Sequence, residues 1–275
     1  MKKFENKVVW ITGASSGIGE ATAYEFAKQG AKLILSARRE DELLRVKNTI
    51  QTLAGQYFGG DTKYNQVFLL PMDVEKTDEI PAKAKLAIEH LGRIDVLFNN
   101  AGISQRSSVA ETDMAVYQKI MNLNFFGVVA LTKAVLPAMQ AQRSGQIAVT
   151  SSVSGKLATP MRSGYCASKH AIHGFFDALR SEVYQDNIAI TLVCPGYIRT
   201  NISYNAVAAD GSKFGKMDDN QANGMSAEEC ATRIVAAIYA KKQEVYMGGK
   251  EILGVYLKRF FPKLLSRILR GQMPK

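Results

Sequence analysis

Val8-Val9-Trp10-Ile11-Thr12-Gly13-Ala14-Ser15-Ser16-Gly17-Ile18-Gly19 decides the fold. Its first five residues are a short apolar run ending in threonine, and a turn with three glycines follows. A run of this kind, bounded by turn residues, reads as a buried strand. A helical pattern then continues through Ala27. Strand, glycine turn and helix in this order make a dinucleotide site. The glycines let backbone approach a pyrophosphate, and the helix start offers unpaired N–H groups and a favourable dipole. A lone glycine cluster is a weak signal, but this context makes it a strong one.

The next strand, within Ala31 to Arg39, ends in Ala37, Arg38 and Arg39. NAD-selective sites of this architecture place a carboxylate at that end to take the ribose hydroxyls. Arginine pairs instead with a 2′-phosphate. The expected cofactor is therefore NADP(H), with NAD(H) the lesser choice.

Strands and helices alternate through the rest of the chain. Helices are expected over 40–54, 76–91, 112–141, 163–186 and 227–240, with a glycine-rich loop over 55–65. Strands are expected at Val67–Leu70, Ile94–Phe98, Gln146–Thr150 and Ile188–Cys194, and near 244–247. Alternation of this kind predicts an α/β protein with a parallel sheet covered by helices on both faces. Ligands in such sheets bind beyond the carboxyl ends of the strands, where Thr12, Asp73, Asn100, Ser152 and Pro195 fall.

Ser152 precedes Tyr165 by thirteen residues, and Lys169 follows Tyr165 by four. On a helix, Tyr165 and Lys169 share a face. A phenol beside an ammonium can exchange a proton with a carbonyl oxygen, provided its pKa of about 10 is lowered. The spacing alone is common, since Tyr24 and Lys28, and Tyr246 and Lys250, share it. The serine after an apolar strand and the small residues Cys166-Ala167-Ser168 distinguish Tyr165.

Composition bounds the function. At 275 residues the chain suits one large domain. No apolar run reaches the roughly 18 residues of a spanning helix, and the N-terminus lacks a signal-peptide core, so a cytoplasmic protein is expected. Cys166, Cys194 and Cys230 have no framework spacing. His170 and His173 lack a third ligand nearby in sequence, so no metal is expected. Residues 241–275 hold nine Lys/Arg against two Asp/Glu, which is +7 of the formal net charge of +10. There Leu253, Leu257, Phe260, Leu264 and Ile268 share one helical face, and Arg259, Lys263, Arg267 and Arg270 another. Such a helix suits an anionic membrane surface, with Pro262 splitting it in two. Packing on the chain itself, or on a dimer mate, is the equal alternative. Nucleic acid is not an expected partner, because the basic residues lack aromatic stacking platforms.

With these residues in place, the chain resembles the short-chain dehydrogenase/reductase (SDR) family. The match runs from about residue 6 to 200. It comprises Thr12-Gly13-x3-Gly17-x-Gly19, Asn99-Asn100-Ala101-Gly102, Asn124, Ser152, Tyr165-x3-Lys169 and Pro195-Gly196-x3-Thr200. Around Ser151–Lys156 and Tyr165–Ala171 it is similar to the branch holding the 11-beta-hydroxysteroid dehydrogenases and the DHRS7-like reductases. The resemblance implies a single-domain Rossmann fold, a doubly wound parallel sheet of about seven strands in the order 3-2-1-4-5-6-7. The domain would span 1–249, with a mobile substrate lid at about 201–225 and a basic extension at 250–275.

The resemblance also implies roles. Tyr165 is the general acid or base. Lys169 holds the nicotinamide ribose and lowers the tyrosine pKa. Ser152 bonds the substrate oxygen, and Asn124 holds a water of the proton path. Gly13, Ser15, Ser16, Gly17, Ile18 and Gly19 surround the pyrophosphate, and Arg38 and Arg39 the 2′-phosphate. Asp73 and Val74 meet the adenine, and Asn100, Ala101 and Gly102 the ribose. Pro195, Gly196, Ile198 and Thr200 meet the nicotinamide, with pro-S hydride transfer. The expected activity is NADP(H)-dependent interconversion of a ketone and a secondary alcohol. The substrate would be an apolar, lipid- or steroid-like small molecule, and Leu157, Pro160 and Met161 would line its pocket. A homodimer or homotetramer is expected. The alternatives are a 3-oxoacyl carrier-protein reductase and a non-catalytic NADP(H)-binding scaffold.

Overall fold

Val8–Thr12 is the central strand, β1, of a computed structural model that describes residues 2–58 and 66–271. All five of its residues are buried, as a strand covered on both faces requires. The other strands are β2 (Lys32–Ser36), β3 (Val67–Leu69), β4 (Val96–Asn99), β5 (Gly145–Thr150), β6 (Ile188–Pro195) and β7 (Glu244–Met247). They form one sheet in the order β3-β2-β1-β4-β5-β6-β7, and every neighbouring pair is parallel. The order and the parallel sense are those the resemblance implies.

Ten helices accompany the strands among the described residues. They are α1 (Gly17–Lys28), α2 (Glu40–Phe58), α3 (Ile80–Leu91), α4 (Met114–Met121), α5 (Gly127–Ala141), α6 (Ser163–Glu182), α7 (Asp219–Ala222), α8 (Ala227–Tyr239), α9 (Leu253–Phe260) and α10 (Pro262–Arg270). Alternate residues along each strand feed two apolar layers. Val8, Trp10, Ile34 and Leu97 pack with Ile80, Leu131 and Phe176 of α3, α5 and α6. Val9, Ile11, Leu33 and Phe98 pack with Phe26, Leu43 and Ile234 of α1, α2 and α8. The one buried indole is satisfied, since Trp10 Nε1 donates to Ser36 Oγ at 2.9 Å.

Some elements differ from the sequence reading. Helix α3 begins at Ile80 rather than 76, because Pro81 in its first turn sets the start. Helix α2 runs through Gly55 to Phe58, and residues 59–65 of the expected loop lie outside the described residues. The expected helix over 112–141 contains a π-helical turn, Asn122–Phe126, between α4 and α5. By length and composition Met114–Ala141 could cross a bilayer, yet 44% of its most apolar window is buried inside the protein. Val128, Leu131, Val135 and Met139 join the sheet's core there. Gly127 makes that packing feasible, because a Cβ there would lie 2.3 Å from the Val74 carbonyl oxygen.

The segment 201–225, expected to be the least ordered, is tied into backbone hydrogen bonds. Val207 N–H donates to Ser104 O at 2.9 Å, Arg106 N–H to Val207 O at 2.9 Å, and Met225 N–H to Tyr197 O at 3.0 Å. Gly211 and Gly215 adopt left-handed conformations, whereas Gly224 serves close packing, with Tyr197 O 2.3 Å from a would-be Cβ.

Pro262 divides the extension as expected, standing in the first turn of α10. Of the two alternatives for the apolar face, membrane contact or packing, the helices divide their apolar residues. Leu265 is buried against Val153 and Leu157, with Leu257 and Leu269 beside it. Leu253, Phe260, Leu264 and Ile268 face outward. Residues 272–275 lie outside the described residues.

Candidate active site

The carboxyl ends of β1, β4, β5 and β6 converge on one pocket. Gly13 and Gly17 have φ of 65° and 57°, conformations that suit glycine. A Cβ on Gly13 would lie 2.9 Å from Ala101 Cα, and one on Gly17 3.1 Å from Thr200 Cγ2. Ser16 enters α1 in extended conformation with no side-chain cap bond, leaving the helix start open to an acceptor. This turn fits a pyrophosphate. Ser15 is buried, and its carbonyl accepts from Arg45 Nη2 at 3.3 Å.

Thr12 Oγ1 accepts the N–H groups of Asn100 and Ala101 at 3.0 and 3.1 Å. Asn100 Nδ2 donates back to Thr12 O at 3.1 Å, and Asn100 Oδ1 accepts from Thr150 Oγ1 at 3.1 Å. The Asn100 side chain thus cross-braces β1, β4 and β5. At the other end of the dinucleotide groove Arg38 and Arg39 are exposed, with Arg39 3.9 Å from Glu42. Asp73 Oδ1 accepts Glu75 N–H at 3.1 Å, and Val74 is buried beside it.

Ser152 caps a 3-10 turn, Val153–Gly155, accepting Ser154 N–H at 3.0 Å and donating to Pro195 O at 3.2 Å. Tyr165 and Lys169 lie on the buried face of α6. Lys169 Nζ donates to Thr150 O at 2.7 Å and stands 5.8 Å from the Tyr165 ring centre. Burial pushes the Lys169 ammonium down to about 8. Burial pushes the Tyr165 phenol above its ordinary value, against the lowering the sequence led one to expect. The groups pulling it back are the Ser152 hydroxyl, then Arg162 and Arg106. Asn124 sits in the π-helical turn. Its Oδ1 accepts Ile103 N–H at 2.9 Å, and its Nδ2 donates to Ile103 O and Ser168 Oγ at 2.9 and 3.0 Å. Asn124 therefore locks the strand end carrying Gly102 to the tyrosine helix.

Ile198 is buried, and Thr200 Oγ1 donates to its carbonyl at 3.4 Å. Gly196 N–H donates to Met247 O at 2.6 Å. Among the charged residues, Arg106, Arg162 and Glu251 of the wall, and Asp218 behind the two arginines, escaped the sequence reading. Arg106 and Arg162 both donate to Asp218 Oδ2, at 3.0 and 3.1 Å. Glu251 Oε1 accepts Tyr197 N–H at 2.8 Å and Gly249 N–H at 3.1 Å. Only the place of Arg162, three residues before Tyr165, was a usable signal. Leu157, expected in the wall, turns instead toward Leu265.

A second polar group lies behind the site. His173, Cys194 and Glu244 bring potential ligand atoms within 4.8 Å of one another, supplying a third member that the sequence reading lacked. Lys156 already holds Glu244 at 2.8 Å, and the Tyr246 hydroxyl also bonds it. Burial pushes the Cys194 thiol far up and His173 down to about 4, so thiol and ring are neutral at pH 7.

A glycine turn at the start of α1, leading to a buried tyrosine, lysine and serine at the nicotinamide end, defines a Rossmann-type oxidoreductase of nicotinamide dinucleotides. The family model for short chain dehydrogenase matches residues 7–211, and the chain belongs to that family. It is 42% identical over 271 residues to mouse "Dehydrogenase/reductase SDR family member 7B", covering 98% of this chain and 82% of the relative. It is 43% identical to the Drosophila melanogaster "Dehydrogenase/reductase SDR family protein 7-like", covering 100% of this chain and 84% of that one. These place it in the DHRS7-like branch. Among solved structures, an SDR from Burkholderia phymatum in complex with NAD superposes with a TM-score of 0.82 at 26% identity, covering 96% of both chains. An alcohol dehydrogenase from Thermococcus sibiricus, complexed with 5-hydroxy-NADP, gives 0.75 at 26%, covering 90% of this chain and 98% of the other.

Proposed function

We propose that this chain is an NADP(H)-dependent carbonyl reductase, interconverting a ketone and a secondary alcohol on a small molecule with an apolar body. The observation that carries this reading is the Ser152–Tyr165–Lys169 group, buried where the glycine turn and the Pro195–Thr200 segment meet. The bound dinucleotide supplies a hydride to the carbonyl carbon. Tyr165 gives its phenolic proton to the carbonyl oxygen in reduction and takes it back in oxidation. Burial keeps that phenol protonated at neutral pH, while the Ser152 hydroxyl, then Arg162 and Arg106, pull its pKa down in the direction proton transfer needs. Ser152 Oγ bonds the same oxygen, and Lys169 takes the ribose hydroxyls. The test is NADPH oxidation across ketosteroids, retinal, long-chain keto lipids and acyl thioesters. Failure of every ketone overturns the reading.

The preference for NADP(H) rests on Arg38, exposed just beyond β2 with no carboxylate at the strand end. Arg38→Ala is expected to weaken NADPH binding about tenfold to a hundredfold, the worth of a charge-assisted hydrogen bond. NADH binding should change little. Fluorescence titration with both dinucleotides checks this, and an equal loss for both rules out a 2′-phosphate contact.

The outward residues of α9 and α10 support peripheral contact with an anionic membrane, since Phe260, Leu264 and Ile268 stand among Arg259, Lys263 and Arg267. Leu265 packs on Val153, so deleting the helices would also disturb the pocket. Surface changes are the cleaner probe. Phe260→Glu, Leu264→Glu and Ile268→Glu together should cut sedimentation with anionic vesicles about tenfold or more. Unchanged sedimentation would leave the helices as packing elements.

A further inference from the structure

We infer that Arg106 and Arg162 form an anion-recognising pair beside the reacting carbonyl, so that the ketone reduced here carries a carboxylate or phosphate near its carbonyl. This rests on the reductase reading above and adds the substrate's charge to it. Arg106 follows β4, and Arg162 immediately precedes α6. Their side chains are only 11% and 16% exposed, and both line the pocket that holds Tyr165. They converge on a single oxygen, Asp218 Oδ2, at 3.0 and 3.1 Å. The other oxygen, Oδ1, accepts the N–H groups of Asn220 and Gln221 at 3.0 and 3.3 Å. One carboxylate therefore serves two guanidiniums and a helical turn.

Two half-buried cations share the single carboxylate that touches them. Burial, and after it the charge of Arg162, hold Arg106 below the usual guanidinium range. The groups bearing on Arg106 are Arg162, Asp218 and Tyr197. Glu251 also lines the pocket, but its Oε1 is committed to the backbone N–H groups of Tyr197 and Gly249. A site for a neutral ketone gains nothing from a second buried arginine, since apolar side chains would fill the space at less desolvation cost. Guanidinium forks match carboxylate and phosphate oxygens. Asp218 holds both guanidiniums through one oxygen only, so an anionic substrate would compete with that oxygen for their remaining N–H groups. Arg106, Arg162 and Tyr165 line one pocket, so an anion held by the pair shares the chamber of the phenol.

The experiment compares matched ketones in NADPH oxidation by the full chain. One pair is 4-oxooctanoate and its methyl ester. The other is 1-hydroxyoctan-2-one phosphate and the free alcohol. The anionic member should be favoured in kcat/KM about tenfold or more, the effect of one charge-assisted contact. The better pair identifies carboxylate or phosphate. Arg106→Met and Arg162→Met should each bring the ratio toward one. A ratio within one variant is insensitive to how much of that protein folds. A ratio near one in the unchanged protein overturns the anion pair and leaves the reductase reading standing. Should neither these pairs nor any ketone of the panel above oxidise NADPH, the reductase reading falls. Calorimetric titration of the NADPH-loaded protein with 4-oxooctanoate then judges the pair alone. Binding about tenfold weaker in Arg162→Met supports the pair, and equal binding overturns it.

Discussion

Tyr165→Phe should lower ketone turnover by about 10²–10⁴-fold, the usual worth of a positioned general acid. NADPH binding should stay within about threefold, since the groups expected to hold the dinucleotide remain. The fold should tolerate the change. Ser152, the hydroxyl facing the lost phenol, keeps its bonds to Pro195 O and Ser154 N–H. The phenyl ring keeps its place on the buried face of α6. Stopped-flow hydride transfer, together with a separate dinucleotide titration, divides chemistry from binding. Loss of both in equal measure would mean that Tyr165 shapes the groove instead of donating a proton. Turnover at the unmodified rate would move the acid elsewhere.

Gly19→Ala should be the most damaging single methyl in the chain. A Cβ there would lie 2.2 Å from the Gly13 carbonyl oxygen, 2.6 Å from Asn100 Nδ2 and 2.8 Å from the Gly13 carbonyl carbon. Two of these atoms are backbone, so relief requires opening the turn itself. Overpacking of this kind costs about 1–3 kcal/mol, occasionally more. The opened turn should also bind NADPH at least about tenfold more weakly, because its amides no longer converge. Gly174→Ala is the matched control. Gly174 lies on the exposed side of α6 with nothing within 4 Å of a would-be Cβ. Alanine there should stabilise by about 0.5–1 kcal/mol through helix propensity. Chemical denaturation of the two variants should give opposite signs, and equal signs would refute the steric account.

The central strand, the glycine turn and the tyrosine helix were legible because each is a contiguous stretch whose pattern does not depend on distant partners. The trio of Arg106, Arg162 and Asp218 was not. Its members are far apart in sequence, and the 201–225 arm brings Asp218 to the two arginines by lying across the segments that follow β4 and β6. Which residue of the extension turns inward was not legible for a different reason. A single helical wheel assumes a constant phase, whereas Phe261, at φ −134° and ψ 57°, breaks it between α9 and α10. Leu265 therefore turns inward, while Leu264, one residue earlier on the wheel, faces out. The start of α3 was placed too early because the amphipathic period runs on through the turn residues before Pro81. The bonds of the Asn124 amide to Ile103 and Ser168 join segments far apart in sequence, so no local pattern announces them.

Glu251 caps the Tyr197 amide, and Leu265 closes over Val153, so the chamber is finished by residues synthesised after all seven strands. A chain ending just beyond β7 would contain every strand of the sheet and the glycine turn. That chain could sequester dinucleotide but would offer a trough with one side missing. The far C-terminal helices are therefore part of the chamber wall as well as an outer surface.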